Sequence, residues 1–375
     1  MATAFARLSG EAIRDGLVIG THLPIELPRK MTWHQAGHPL PDERSVAAGQ
    51  RALDCARTTR EDETLVVLLS GGASALMSVP ASTLTLDDKR ATVAALLASG
   101  ADITALNTVR KHLSAVKGGR LAAASAGPTV CLAISDVVGD DLSVIGSGPA
   151  VPDPSTFADA WQYVERYGVR ERLPARVAAV LQAGLRGDVE ETPKPGDPRL
   201  ARGIARVIGG RMNAMDGARD AAVALGYHVT VIDEPVIGEA RVAGADLLAR
   251  ARTLAAKQPR PACVLAAGET TVTVVGKGKG GRNQEVALAA ARLLAKDPEN
   301  VGFASVGTDG VDGPTDAAGA VADTSTLARA AQRALDPDRY LADNNAYAFF
   351  SALNDLIVTG PSNTNVGDVQ IVLFP

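Results

Sequence analysis

With 375 residues, 46% of them apolar and 21% charged, the chain is too long for one ordinary core, and a globular protein of two domains is expected. A net charge of −4 without a long basic run argues against a nucleic-acid surface, and an aromatic content of 3% removes the stacking platforms that single-strand binders use. No run approaches about 18 uncharged apolar residues, and the N-terminus lacks the features of a signal peptide, so no membrane partner and a cytoplasmic location are expected.

In chain order, short apolar runs alternate with Ala/Leu-rich amphipathic stretches. A strand predicted from Gly16 to Gly20 precedes His34-Gln35-Ala36-Gly37-His38-Pro39. His34 and His38 have the i, i+4 spacing of a helical metal pair, but Gly37 and Pro39 oppose a helix, so a structured turn is expected rather than a zinc site. A helix from Ser45 to Thr58 leads to a strand from Leu65 to Leu69, and then to Ser70-Gly71-Gly72-Ala73-Ser74. The glycines let backbone approach a ligand and the serines can donate hydrogen bonds, so the turn reads as a phosphate or carboxylate cradle, or equally as a tight turn with an N-cap serine.

Helices are predicted from Leu86 to Ala98 and from Thr108 to Lys117. In the second, Arg110, Ser114 and Lys117 stand at i, i+4, i+7, a concentration of positive charge that fits either an anion or a solvated face; His112 reads as a hydrogen-bonded partner. The strand from Thr129 to Ser135 runs into Asp136 and Gly139-Asp140-Asp141. After helices from Ala158 to Tyr167 and Ala175 to Gly184, the polar, proline-bearing stretch from Arg186 to Arg199 is the linker candidate, giving domains 1–199 and 200–375.

The second half repeats the alternation. Strands are predicted from Arg206 to Ile208, His228 to Ile232, Ala262 to Ala266, Thr271 to Val275, Val301 to Ser305 and Asp368 to Leu373. Helices are predicted from Asn213 to Leu225, Ala240 to Ala256, Gln284 to Ala295, Thr324 to Leu335 and Asn345 to Leu353. The pattern indicates α/β layers with largely parallel sheets, whose active residues sit on loops beyond the strands' carboxyl ends. Cys55, Cys131 and Cys263 stand apart in mostly apolar surroundings and read as core residues.

The most informative stretch is Gly276-Lys277-Gly278-Lys279-Gly280-Gly281-Arg282-Asn283-Gln284-Glu285, a glycine-rich turn with three cations between a strand and a helix. Backbone N–H groups and a helix N-terminus there suit phosphate, while a flexible basic loop is the plainer reading. The spacing also fits G-x-G-x-x-G, a weak signal: a dinucleotide fold asks for close backbone contact with a pyrophosphate and an acid about 20 residues on, whereas here lysines fill two of the variable positions and the first acid after Glu285 is Asp297. The strand from Val301 to Ser305 runs into Gly307-Thr308-Asp309-Gly310-Val311-Asp312-Gly313-Pro314. Asp136 and Asp309, at strand ends among small residues, can hold Mg²⁺ with waters retained; Asx turns explain either cluster alone, but both beside two anion loops favour metal-assisted phosphoryl transfer.

Taken together, the stretches 36–43 (AGHPLPDE), 68–76 (LLSGGASAL), 106–122, 134–153, 280–285 (GGRNQE), 307–319 (GTDGVDGPTDAAG) and 359–368 (TGPSNTNVGD) resemble the class II glycerate 2-kinases, whose C-terminal half contains the MOFRL domain. The resemblance spans nearly the whole chain. It implies a Rossmann-like N-terminal α/β domain and a MOFRL-type C-terminal one, with the active site in the interdomain cleft, and ATP- and Mg²⁺-dependent phosphorylation of D-glycerate at its 2-hydroxyl. It puts Arg282 among the catalytic residues, steadying the transferring phosphoryl group. Beside it, Arg110 and Lys111 are expected at phosphate or at the glycerate carboxylate. Ser70, Gly71, Gly72, Ser74, Lys277, Gly278, Lys279, Gly280, Gly281 and Asn283 are expected at the nucleotide, and Asp136 and Asp309 at the metal. A homodimer is left open.

Members of that family begin some tens of residues before the point matching Met1 and carry there a strand ending in Gly-Lys-Ala, whose lysine is a proposed active-site residue; this sequence has no counterpart. Either the start is assigned too late, or the strand and lysine are missing, and then weak or absent kinase activity is expected. The competing expectations are an NAD(P)H-dependent reductase of hydroxypyruvate or tartronate semialdehyde and a non-catalytic nucleotide or anion sensor.

Overall fold

The structure is a computed structural model that describes residues 1–24, 26–296 and 299–375; Asp297 lies outside them. The chain divides into two units, one of residues 1–133 and 141–208, the other of 134–140 and 209–375.

In the first unit β1 (Gly16–Gly20) pairs in parallel with β2 (Met31–Gln35), and β3 (Leu65–Leu69) in parallel with β4 (Thr129–Ile134), which continues the sheet to β5 (Ile204–Gly209). The helix Glu43–Arg57 starts where Asp42 accepts from the Ser45 amide at 3.1 Å, and the Ser45 hydroxyl answers the Asp42 amide, a reciprocal cap. It buries Ser45, Ala48, Gly49, Leu53 and Ala56, the three-and-four spacing of an inward face. A Cβ on Gly49 would lie 2.6 Å from Val79, so only glycine lets that segment pack so closely. Phe157, Leu96, Val109 and Leu181 lead the core beneath these helices.

The predicted helix from Thr108 to Lys117 runs instead from Ile103 to His112. Past it the chain is drawn into a bridge between Pro80 and Ser114, and the Val79 carbonyl accepts from both the Ala115 amide and the Ser114 hydroxyl. Arg110, Ser114 and Lys117 therefore do not share a helix face.

The second unit is built on a seven-stranded sheet. The strands are β6 (His228–Val231), β7 (Val236–Glu239), β8 (Ala262–Thr271), β9 (Gly302–Gly307), β10 (Gly319–Asp323), β11 (Leu356–Ile357) and β12 (Asp368–Phe374), in the order β11-β10-β9-β12-β8-β6, with β7 also on β8. β6 and β7 run parallel to β8, whereas β12 lies antiparallel to both β8 and β9, so this sheet is mixed. Threading the last strand into the sheet's middle buries β12, and its predominantly apolar sequence matches.

β8 covers the strand predicted from Ala262 to Ala266 and runs on to Thr271, whereas the separate strand predicted from Thr271 to Val275 does not form: Val272 to Val275 lie outside any strand. Against the sheet lie the helices Ala240–Ala255 and Arg282–Leu294, whose alanine content permits contact so close that a Cβ on Gly244 would stand 2.3 Å from the Val286 carbonyl oxygen. The second of these helices is buried from Asn283 to Ala291, so Arg282 at its start is held by a rigid element. No helix among the described residues is long and apolar enough to cross a membrane.

Candidate active site

In the second unit Arg282 is the centre of a carboxylate cluster. Its Nε and Nη2 donate to the two oxygens of Asp368 at 2.7 and 3.0 Å, and its Nη1 donates to Glu269 at 2.7 Å. Asp368 is 1% exposed and heads β12; Glu269 lies near the end of β8, the neighbouring strand. A guanidinium has five N–H groups, so this fork leaves two unspent on a side chain that remains 30% exposed. Burial works against the charge of Arg282, but Asp368 and Glu269 outweigh it and hold its pKa above the ordinary value.

Carboxylates outnumber that one cation. Burial pushes the pKa of Glu269 up, and the charges of Asp368 and Asp136 add to it against the pull of Arg282. Asp368 is likewise raised, by burial first and then by Asp309. One segment ties the two metal candidates together: Asn365 donates to Asp136 at 3.3 Å, while the Ser362 amide donates to the Asp309 carbonyl and the Ser362 hydroxyl to that of Thr308. The Asp309 carboxylate itself caps the Val311 amide at 3.0 Å. Among the described residues no three His, Cys, Asp or Glu side chains could hold a metal ion by themselves.

The glycine loop is tied down. The amides of Val275 and Gly276 donate to the Asn344 side chain at 2.8 and 2.9 Å, Lys277 and Gly278 to Asp343 at 3.0 and 2.9 Å, and Lys279 to the Asn345 side chain at 3.2 Å. Gly276 and Gly278 are required by this contact, since a Cβ on either would fall within 2.5 Å of residues 343–345. The amides from Val275 to Lys279 are thus engaged within the protein, and the loop presents the exposed Lys277 and Lys279 side chains, Lys279 lying over the Tyr347 ring at 4.6 Å.

The helix N-terminus after Gly281 is engaged too. The amides of Asn283 and Gln284 donate to the two oxygens of Asp312 at 3.0 and 2.9 Å, and the Asn283 side chain accepts from Ser305 at 2.6 Å. Gly280 and Gly281 pack beside this cap, and a Cβ on Gly281 would stand 2.3 Å from the Asp312 carboxyl carbon.

Asp312 is almost completely buried. Burial raises its pKa to about 6, against the pull of the Asn283 and Gln284 amides. The folded state then binds the proton more tightly than the unfolded chain does. Asp312 consequently costs stability as pH rises from the ordinary aspartate range to about 6, and favours folding on the acid side of that window. A carboxyl ¹³C titration by NMR is expected to give Asp312 a midpoint near 6; a midpoint in the ordinary aspartate range would overturn this assignment.

The first unit gathers a different set. The Ser70–Ser74 turn follows β3, with Ser70 exposed and Ser74 half-buried. Gly72 takes φ +83° and packs against His38, whose ring carbon would lie 2.9 Å from an added Cβ, so the His38 turn and the serine turn touch. Ser74 accepts from the Lys117 ammonium through its carbonyl at 2.7 Å and its hydroxyl at 2.8 Å.

Arg110 is half-buried, and among the described residues nothing hydrogen-bonds or ion-pairs with it. Lys111 is buried and bound to Asp153 at 3.2 Å. His112 is fully buried, with Nδ1 on the Thr108 carbonyl at 2.8 Å and Nε2 on Glu191 at 3.2 Å. Burial opposes the charge of Glu191, but His112, the Phe157 amide and Lys194 hold its pKa at about 2. Residues that the sequence reading passed over are Glu269, Asp153 and Lys89, and Asp312 enters it only within its cluster; Glu269 stands in an unremarkable Gly-Glu-Thr, and only the fold brings it to Arg282.

The domain of unknown function DUF4147 matches residues 1–182 and the MOFRL family residues 262–368. The D-glycerate 2-kinase of Thermotoga maritima is 40% identical over 100% of this chain and 88% of its own. A provisionally named hydroxypyruvate reductase of Agrobacterium vitis is 41% identical over 91% of this chain and 76% of its own. The crystal structure of a glycerate kinase from Thermotoga maritima superposes with a TM-score of 0.89 at 38% identity, covering 100% of this chain and 88% of that one. With 40% identity to the Thermotoga maritima kinase across this chain and the MOFRL match, the chain belongs to the glycerate kinase family that carries a C-terminal MOFRL domain.

Proposed function

We propose that the chain transfers the terminal phosphoryl group of ATP to the 2-hydroxyl of D-glycerate, with Mg²⁺. The observation that carries phosphoryl transfer is Arg282, locked by Asp368 and Glu269 and left with two unspent N–H donors. Glycerate as acceptor comes from the kinase relatives.

Little covalent work falls to the protein in such a reaction, so positioning and charge dominate. Arg282 steadies the oxygens of the moving phosphoryl group. Lys277 and Lys279 meet nucleotide phosphates through their side chains, while Gly278, Gly280, Gly281 and Asn283 set the loop and the helix start. The local excess of carboxylate over cation suits a divalent ion, and Asp136 and Asp309 would hold it with phosphate and water completing the shell. Bound Mg²⁺ supplies neutralisation of the triphosphate. In the first unit Ser70, Gly71, Gly72 and Ser74, with Arg110, receive anionic oxygens, and Lys111 orders the segment through Asp153. The unpaired cysteines fit a cytoplasmic setting.

Phosphorus NMR of a mixture with ATP, Mg²⁺ and D-glycerate is expected to show ADP and the 2-phosphate, with no change in NADH absorbance. Formation of the 3-phosphate would overturn the regiochemistry, and NADH oxidation by hydroxypyruvate would favour the reductase.

A further inference from the structure

Lys89, Arg110 and Lys117 lie near one another in the first unit, and among the described residues no carboxylate pairs with any of them. Lys117 is 2% exposed and Lys89 6%. The Lys89 ammonium donates to the Ser78 hydroxyl at 3.0 Å and the Val79 carbonyl at 3.4 Å, and Lys117 donates to Ser74, so among the described residues their partners are neutral oxygens. A protonated lysine has three N–H donors, which leaves one unspent on each.

The acids of this region are occupied elsewhere. Asp153 takes Lys111, Glu191 takes His112 and Lys194, and Asp88 takes Thr85. Burial lowers the pKa of all three cations; burial first, and then the charge of Arg110, brings Lys89 down to about 7, and burial with the charges of Lys89 and Arg110 brings Lys117 well below the ordinary lysine value. Cations gathered away from water without a counter-charge oppose folding, and an anion would remove that cost.

Behind them runs a directed chain. Ser147 donates its one hydroxyl proton to Asn107 at 3.2 Å, so at the 3.0 Å contact between the two serines Ser74 is the donor, and Lys117 in turn donates to Ser74. Ser147 is fully buried and adopts φ +62° between Gly146 and Gly148, also left-handed, a strained conformation that its surroundings must hold in place.

We propose that Arg110, Lys117 and Lys89, with Lys117 held by the Ser74–Ser147–Asn107 chain and Lys89 by Ser78 and Val79, form an oxyanion site in the first unit that takes a carboxylate or a phosphate group. Arg110 is its contact residue; Lys117 positions the Ser70–Ser74 turn, Lys89 holds the Ser78–Val79 segment, and both supply charge. Only the identity of the oxyanion rests on the kinase reading. A carboxylate would come from D-glycerate and a phosphate from the nucleotide.

Calorimetric titration of the full chain with D-glycerate, ADP and inorganic phosphate, together with steady-state kinetics, tests this. Arg110→Gln is expected to weaken one ligand by about 10- to 100-fold while the other is held, and Arg110→Lys to recover part of the loss. Lys117→Met is expected to raise KM for the same ligand by roughly 3- to 10-fold, with kcat within about twofold. Loss of D-glycerate binding identifies the carboxylate, loss of ADP and phosphate binding the phosphate. If Lys117→Met does not fold, half-buried Arg110→Gln carries the test, with its thermal midpoint as control. Wild-type affinity for all three ligands in Arg110→Gln, or no binding of any by the wild type, overturns the site. Binding lost in Arg110→Gln but no turnover by the wild type leaves the site standing and sinks the kinase. Turnover with unchanged KM values in Arg110→Gln does the reverse.

Discussion

Arg282→Gln is expected to lower kcat by about 10²- to 10³-fold, the range found when a preorganised donor to a developing charge is removed. The physical reason lies in how the guanidinium is held. Three of its N–H bonds are spent on Asp368 and Glu269 at 2.7 to 3.0 Å, so the remaining two are aimed before any substrate arrives. Arg282→Lys keeps the charge but cannot span both carboxylates, and recovery of less than about a tenth of the wild-type rate is expected. Glutamine also leaves Asp368 buried without its cation, so some stability is lost at neutral pH. Asp368, whose pKa burial already raises, can take up a proton, so that loss shrinks as pH falls. Steady-state kinetics at saturating ATP and D-glycerate, well below the unfolding temperature, separates the two effects. A kcat within about fivefold of wild type in Arg282→Gln would end the catalytic role.

How much of this was legible depended on whether local pattern or distant chain set the outcome. Strands β3 and β6 were readable because Val- and Leu-rich runs bounded by polar turns mean strand almost anywhere. β2 was missed because Thr32, His34 and Gln35 hide its alternation, and β10 because Gly319-Ala320-Val321-Ala322-Asp323 has little intrinsic strand preference and is held by β9 and β11. The helix from Ile103 stops at His112 because Ser114 and Ala115 find partners on Val79, some 35 residues away in the chain, which no helical periodicity reveals. The same holds for the candidate site. Arg282 could be singled out from its own stretch, but its partners Glu269 and Asp368 come from two neighbouring strands. Composition correctly marked the glycine loop as basic. That its amides are engaged by Asp343 to Asn345 is a long-range fact.

Asp153→Ala is expected to cost about 3–5 kcal/mol, the range for stranding one member of a buried ion pair. Asp153 is fully buried and accepts from the Lys111 ammonium at 3.2 Å, the Ser155 amide and hydroxyl at 3.1 and 2.7 Å, and the Thr192 hydroxyl at 3.0 Å, so four donors lose their acceptor at once. Burial opposes the charge of Asp153, yet Ser155 and Lys111 keep its pKa below the ordinary value. Its stabilisation is therefore present above the usual carboxylate range and is lost as pH falls through the lower folded value. Lys111→Met strands the carboxylate instead, and the double variant Lys111→Met/Asp153→Ala is expected to lose less than the sum of the single losses, because no uncompensated charge remains. Urea unfolding of the three variants measures that coupling. The cycle also decides what Lys111 does. If it serves only Asp153, catalytic constants measured where all variants are folded stay near wild type while stability falls; if it reaches a phosphate or carboxylate of substrate, KM rises in Lys111→Met even where the fold is intact.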